Sequence, residues 1–231
     1  MKILGIIPAR AGSKRVPNKN KRLLNGKELV RYTIETCIES KLLTTIVVSS
    51  DDLDILNIAK NYSEVIALER PEEISQDKSL AIEFVLHALK SLKENYDIVV
   101  IIQVSSPFTQ AVDIDQTIKV LLENDQAKSA ASVVKLDHAL QPSKIKLIKQ
   151  GQLISYFKDE ADKMIAHELP ELYIRNGSVY VSRIETIRSG NIITEPCMAY
   201  VMPRERSLDI NDEMDWGLAE YMMGDYKISF K

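Results

Sequence analysis

Apolar residues rich in Ile and Val gather in short runs along the chain, at ILGII (3–7), TIVVSS (45–50), DIVVIIQ (97–103) and SAASVV (129–134). Runs of that length, without polar alternation, read as strands buried on both faces. Between them the spacing changes. Val30, Ile34, Cys37 and Ile38 recur at helical intervals, as do Ala81, Val85, Ala88, Leu89 and Leu92, and then Ile114, Ile118, Leu121 and Leu122. Each set puts its apolar side chains on one side of a helix. Strand alternating with helix predicts an α/β fold, a mostly parallel sheet wrapped by helices.

From Gln141 to Leu172 the rhythm lapses into strand-like pieces around a charged turn, which reads as an insertion or arm within a single domain spanning 1–231. It returns with GSVYVS (177–182) and CMAYVM (197–202), and a final helix is expected after SLDIND. The closing DYKISFK reads either as a short edge strand or as a fraying end. There is no internal repeat and no low-complexity segment.

With 231 residues the chain has enough length for a large core, and its formal net charge of −3 argues against a general nucleic-acid binder. Cys37 and Cys197 are the only cysteines, too few for a disulfide framework, and both fall in apolar segments, which suits a reducing cytoplasm. The N-terminal apolar run is too short for a signal segment, and no stretch approaches the length of a membrane span.

Against that nearly neutral background, IPARAGSKRVPNKN (7–20) concentrates Arg10, Lys14, Arg15 and Lys19 directly after the first strand. A loop leaving a parallel strand lies at the carboxyl edge of the sheet, where open α/β proteins bind ligands. Gly12 permits backbone conformations closed to other residues, and Ser13 adds a hydroxyl and exposed amides. These features point to a small anion, phosphate above all. Neither a G-x-x-x-x-G-K-S/T loop nor a G-x-G-x-x-G fingerprint occurs, so those two classes of nucleotide loop drop back.

The stretch resembles the signature of the cytidylyltransferases that activate acidic sugars, the CMP-sialic, CMP-legionaminic, CMP-pseudaminic and CMP-Kdo synthetases. Four further segments resemble that family in order: RPEEISQDKSLAIEFVLHAL, QVSSPF, LPELYIRNGSVYV and RSLDINDEMDW. The resemblance implies a Rossmann-like, mixed but mostly parallel sheet, with residues 141–172 as an arm exchanged in a homodimer. It implies transfer of CMP from CTP to the anomeric hydroxyl of an acidic nine-carbon keto-sugar, with Mg²⁺ or Mn²⁺ as cofactor. A nucleotidyltransferase acting on Kdo or another sugar, or a non-catalytic nucleotide-sugar binder, would carry similar segments.

Residue by residue, the resemblance assigns Arg10 and Lys14 to the triphosphate and the departing pyrophosphate. Ala9, Gly12, Ser13, Lys19 and Asn20 face the nucleotide with them, Arg70 and Asp77 frame it, and Gln103 reaches toward sugar or base. Arg15 stands where the family often has Gly. The sugar falls to Lys144, Tyr173, Arg175, Asn176 and Tyr180 alongside Gln103. Ala166 and His167 occupy a position where sialic acid synthetases typically carry Arg, which implies a variant sugar pocket.

Asp209 and Asn211 alternate on an extended segment, so both point to one side, and the resemblance makes Asp209 catalytic and the pair metal ligands. The family usually has Asp at both positions. Asp212, three residues before Asp215, reads as a helix N-cap. Arg70 is, on the residues alone, either a site residue or a surface partner of Glu72 or Glu73. Ser105 and Ser106 either cap a helix beginning near Val112 or line a pocket.

Overall fold

The Ile/Val runs become strands. A computed structural model describes residues 1–157 and 170–224. Its elements begin with β1 (Ile3–Pro8), a small ribbon of β2 (Leu23–Leu24) and β3 (Lys27–Glu28), and α1 (Leu29–Glu39). They continue with β4 (Thr45–Ser50), α2 (Leu53–Ala59), β5 (Val65–Glu69), α3 (Ala81–Leu92), β6 (Ile98–Ile102), α4 (Ala111–Leu122) and β7 (Ser129–Lys135). The hairpin β8 (Lys146–Lys149) and β9 (Gln152–Ser155) follows, then β10 (Tyr173–Arg183), α5 (Ile184–Arg188), β11 (Cys197–Val201) and α6 (Glu213–Met223).

Seven strands form one sheet in the order β11-β7-β10-β6-β1-β4-β5. All run parallel except β10, which lies antiparallel to both β6 and β7. The sheet is therefore mixed and mostly parallel. Alternation sends successive residues to opposite faces. Ile3, Ile7, Val48, Val100 and Ile102 join one buried cluster with α1, α2, α4 and α6, while Leu4, Ile6, Val47, Val99 and Ile101 join a second with α3 and α5. Helices on both sides explain why the central strands lack polar alternation.

Some elements escaped the pattern. VIALE (β5) sits at the sheet edge, where Ile66 is exposed, and α2 is only seven residues long. The carboxyl end of β10 pairs with β6 through Val179–Arg183, but its longer N-terminal half reaches back to Tyr173, past a register shift between Arg175 and Tyr180. Within 141–157 the irregular stretch holds the β8–β9 hairpin, a separate two-stranded sheet. The Ala166 and His167 positions and the terminal DYKISFK lie outside the described residues.

Candidate functional site

Four parallel strands deliver their carboxyl ends to one edge, and the loop after β1 is fixed there by its own backbone. Ala9 is buried; its N–H donates to Ser49 O at 3.0 Å and its carbonyl accepts from Ser50 Oγ at 2.6 Å. Ala11 N–H donates to Asp51 Oδ1 at 2.7 Å, and buried Asn20 donates from Nδ2 to Arg10 O at 2.9 Å. Gly12 takes the left-handed conformation with φ +73°, which favours glycine. With the main chain pinned, the loop's cationic side chains face a cleft of about 500 Å³.

The cations in this cleft are of two kinds. Arg10 Nη2 pairs with Asp77 Oδ1 at 2.9 Å, and Lys14 pairs with the other oxygen of the same carboxylate. Hydrogen bonds from Lys14 and then Arg10 hold the Asp77 carboxyl below its ordinary range. Arg70 and Lys19 differ in having neutral direct partners. The Arg70 side chain is buried, donating from Nε to Ser49 Oγ (3.0 Å) and from Nη2 to Ser49 O (2.8 Å), with the Phe84 ring 4.7 Å away. Lys19 Nζ donates to Ile210 O at 2.8 Å. Burial pushes Arg70 down to about 10 and also lowers Lys19. Arg70 remains charged at neutral pH, and both cations carry a desolvation cost that a bound anion relieves. The surface pairing of Arg70 with Glu72 or Glu73 is thereby replaced by a buried position in the cleft wall.

This gives a pH dependence with a definite sign. A bound anion raises the pKa of each cation, so nucleotide affinity holds below the free-state pKa and falls as pH rises through it. Affinity for CTP is expected to be level near neutrality and to drop as pH nears about 10. Arg70→Lys should move that drop to lower pH, because an ammonium starts from a lower pKa. Titration calorimetry across the range checks this, and an unmoved curve would remove Arg70 from the nucleotide's contacts.

The 209–211 segment closes the other side. Ile210 N–H donates to Ser105 O at 2.8 Å, and Asn211 N–H donates to Asp215 Oδ2 at 2.8 Å. Asp209 and Asn211 do face each other: Asn211 Nδ2 donates to Asp209 Oδ2 at 2.9 Å. Asn211 Oδ1 accepts from Arg15 Nη2 at 3.1 Å. The neighbours dictate this amide orientation, since the reverse would set oxygen against carboxylate and N–H₂ against guanidinium. A hard divalent cation needs converging oxygens. Asn211 offers Asp209 a donor and commits its oxygen to a cation, so the pair as arranged does not fit a two-oxygen metal site. No group of three or more His, Cys, Asp or Glu gathers as a metal site among the described residues. Asp212 caps α6, accepting from Met214 N and Asp215 N, both at 3.0 Å. Ser105 lines the cleft; Ser106 is buried and donates to Gly177 O at 3.3 Å, while α4 is preceded by Gln110.

Gly177, at φ +74°, sits under Asp209, and a Cβ there would lie 3.1 Å from Asp209 Oδ2. Gly177→Ala is expected to cost about 1–2 kcal/mol in backbone strain and, in addition, to displace the Asp209 carboxylate. Gly26→Ala supplies the control, because Gly26 has φ +81° and nothing within 4 Å of a built Cβ. Both variants should lose melting temperature, and Gly177→Ala alone should lose turnover. Equal turnover in the two would show that the carboxylate's place does not matter.

The cleft thus brings together Arg10, Ser13, Lys14, Lys19, Asn20, Arg70, Asp77, Gln103 and Asn211. Gly12 lies in an adjoining recess that shares Arg10, Lys14 and Arg70. The sugar candidates are elsewhere. Lys144 is exposed with Nζ 2.8 Å from His138 Nδ1, Tyr173 is exposed and donates to Glu171 Oε2 at 2.9 Å, and Arg175 is exposed on the same strand. Asn176 is buried, accepting from Ser132 Oγ (2.7 Å) and donating to Ser207 Oγ (2.9 Å), and Tyr180 packs half-buried on the second core cluster. Those five, and Asp209, do not line the cleft. Arg15 does line it, as the charge of its loop suggested, and so do Gln76, Ser79 and Phe84, to which residue types and spacing alone assigned no role. The last three flank Asp77 in RPEEISQDKSLAIEF, which was the available signal.

Comparison with known proteins identifies the family of the chain. Residues 4–208 match the family described as cytidylyltransferase. The chain is 33% identical over 229 residues to the CMP-N,N'-diacetyllegionaminic acid synthase of Legionella pneumophila, covering 96% of this chain and 97% of that protein. It is 32% identical over 220 residues to the N-acylneuraminate cytidylyltransferase of Escherichia coli O18:K1:H7; that match takes in 94% of this chain and 51% of the relative, whose length it spans by about half. Among solved structures, CMP:2-keto-3-deoxy-manno-octonic acid synthetase complexed with CTP superposes with a TM-score of 0.72 at 15% identity, over 96% of this chain and 98% of that one.

Proposed function

The chain belongs to the cytidylyltransferase family, whose members are nucleotidyltransferases, and from that premise we propose that it transfers CMP from CTP to the anomeric hydroxyl of an acidic nine-carbon keto-sugar. The observation that carries the proposal is the buried Arg70 guanidinium, which lines one cleft with Lys19, neither having a direct carboxylate partner among the described residues. Such cations fit the phosphates of a nucleotide. The relatives named for sialic and legionaminic acids supply the acidic sugar.

In the reaction, the anomeric oxygen attacks the α-phosphorus, the bond from that phosphorus to the bridging oxygen breaks, and pyrophosphate leaves with the electron pair. The hydroxyl proton passes to solvent or a nearby base. Arg10 and Lys14 exchange Asp77 for the β- and γ-phosphates and neutralise the charge that grows on the leaving group. Arg70 and Lys19 hold the nucleotide still, and Gln103 orients the incoming sugar. Orientation and fixed charge are the main requirements, because no covalent enzyme intermediate is needed. No step here is assigned to a divalent ion; Mg²⁺ or Mn²⁺ enters the proposal only as a companion of CTP.

The same proposal covers assembly and location. Ile148 and Leu153 of the β8–β9 hairpin are 77% and 71% exposed. Apolar side chains on a two-stranded sheet outside the main core call for a cover. A second copy of this chain supplies it, in a homodimer joined through this arm. Buried Cys37 and half-buried Cys197 are both free, which supports a reducing cytoplasm. No helix among the described residues is long and apolar enough to cross a membrane.

The test is pyrophosphate release from CTP with Mg²⁺ and a panel of nonulosonic acids, Kdo included. Release with at least one nine-carbon acid is expected. CTP binding without turnover of any acid would overturn the reading in favour of a nucleotide-sugar binder, for which the neutral Asn211 is the supporting feature.

A further inference from the structure

Resting on the nucleotide reading of the cleft, we propose that Arg15 contacts the triphosphate of bound CTP as a fixed cation, and that Asn211 holds it in place without neutralising it. Among the described residues, two of the loop's other cations are paired with a carboxylate, and Arg15 is not. Arg10 and Lys14 share the Asp77 carboxylate. Lys19 spends its described hydrogen bond on the main-chain oxygen of Ile210. The described hydrogen bond of Arg15 runs instead to a neutral amide oxygen, Asn211 Oδ1, at 3.1 Å.

Asn211 is itself held from two sides. Its main-chain N–H is fixed by Asp215 Oδ2 at 2.8 Å and its side-chain nitrogen by Asp209 Oδ2 at 2.9 Å. Both Arg15 and Asn211 line the cleft. A guanidinium has five N–H donors in a rigid fork, so one donor spent on Asn211 leaves the rest for phosphate oxygens. The effect is a chain from Asp215 and Asp209 through Asn211 to Arg15 that ends in positive charge. Where two carboxylates at 209 and 211 would recruit a divalent ion to that wall, this chain presents its own cation. It follows that CTP binding depends less on metal than two converging carboxylates would make it.

The test is titration calorimetry of CTP onto the full-length wild type, Arg15→Gln, Asn211→Asp and the double variant, each in EDTA and in Mg²⁺. Gln retains an N–H for Asn211 and removes only the charge, so a merely bracing role for Arg15 would leave affinity unchanged. Wild type is expected to bind CTP in EDTA, and Arg15→Gln to bind about tenfold more weakly there, the size of one charge-assisted hydrogen bond. Asn211→Asp should weaken binding in EDTA too, because the new carboxylate pairs with the guanidinium. The double variant should bind well only when Mg²⁺ is added. Equal affinity of Arg15→Gln and wild type in EDTA overturns the inference, as does wild-type binding that vanishes in EDTA. Pyrophosphate release by the wild type is scored separately. A wild type that binds CTP through Arg15 but turns over no acidic sugar removes the transferase reading and leaves this contact standing.

Discussion

Lys14→Ala is expected to lower the rate of pyrophosphate release by roughly 100-fold or more while leaving the melting temperature nearly unchanged. The two halves of this expectation have separate causes. The Lys14 side chain is 78% exposed and, among the described residues, pairs with Asp77, an exposed ion pair of the sort that adds little to stability. The loop's path is set by main-chain contacts to Asp51, Ser49 and Asn20 that do not involve Lys14. Its removal therefore leaves the cleft in place. The rate falls because charge grows on the leaving pyrophosphate during the displacement, and a cation already positioned there stabilises the transition state more than the bound substrate. Arg10 cannot make up the loss, since its guanidinium already has its own share of the leaving group's charge to neutralise. Steady-state release assays and a thermal melt on the same preparation decide it. Near-normal turnover would strip the loop of its assigned role, and a large drop in melting temperature would mean that the loop's fold depends on the side chain.

Arg206→Leu carries the largest expected effect on stability, at a point remote from the cleft. Asp113, in the first turn of α4, is fully buried. Its carboxylate accepts from Arg206 Nε at 2.9 Å and Nη2 at 2.7 Å, from Tyr200 OH at 3.3 Å, and from the main chain of Gln110 at 2.9 Å. The bidentate pair ties the turn after β11 to the helix beneath it. Removing the guanidinium leaves a buried charge without its main partner, which costs about 3–5 kcal/mol. For a domain of this size that is a fall of roughly 6 to 20 °C in melting temperature. Replacing both partners, as Asp113→Leu with Arg206→Leu, should recover much of the loss, because the unpaired charge goes too. A double variant no better than the single would show that the damage comes from repacking.

How much of this was legible beforehand depends on the range over which each feature is set. The buried strands could be read from residues 3–7, 45–50 and 97–103 because a strand covered on both faces must be apolar throughout, a purely local requirement. The α6 cap was legible for the same reason, since Asp212 acts on amides two and three residues away. The cationic loop was legible through its composition, and its place at the sheet edge through the strand that precedes it. The edge strand β5 was not, because at a sheet edge a short segment such as VIALE need not be apolar on both faces.

Local patterning along the chain thus set the layered α/β plan and a cationic first loop at the sheet edge. The reversed direction of β10 came only with the folded chain, since it depends on pairing with strands about 40 to 85 residues earlier. Folding also made Arg70 a buried cation and not a surface one, since its partner Ser49 is 21 residues away and Phe84 comes from a different element. The largest change concerns Asn211. Alternation along the chain correctly brought it to the same side as Asp209, but alternation fixes only direction. Which atom of the amide meets the carboxylate is set by Arg15, 196 residues distant in sequence, whose guanidinium claims the oxygen and turns the N–H₂ toward Asp209.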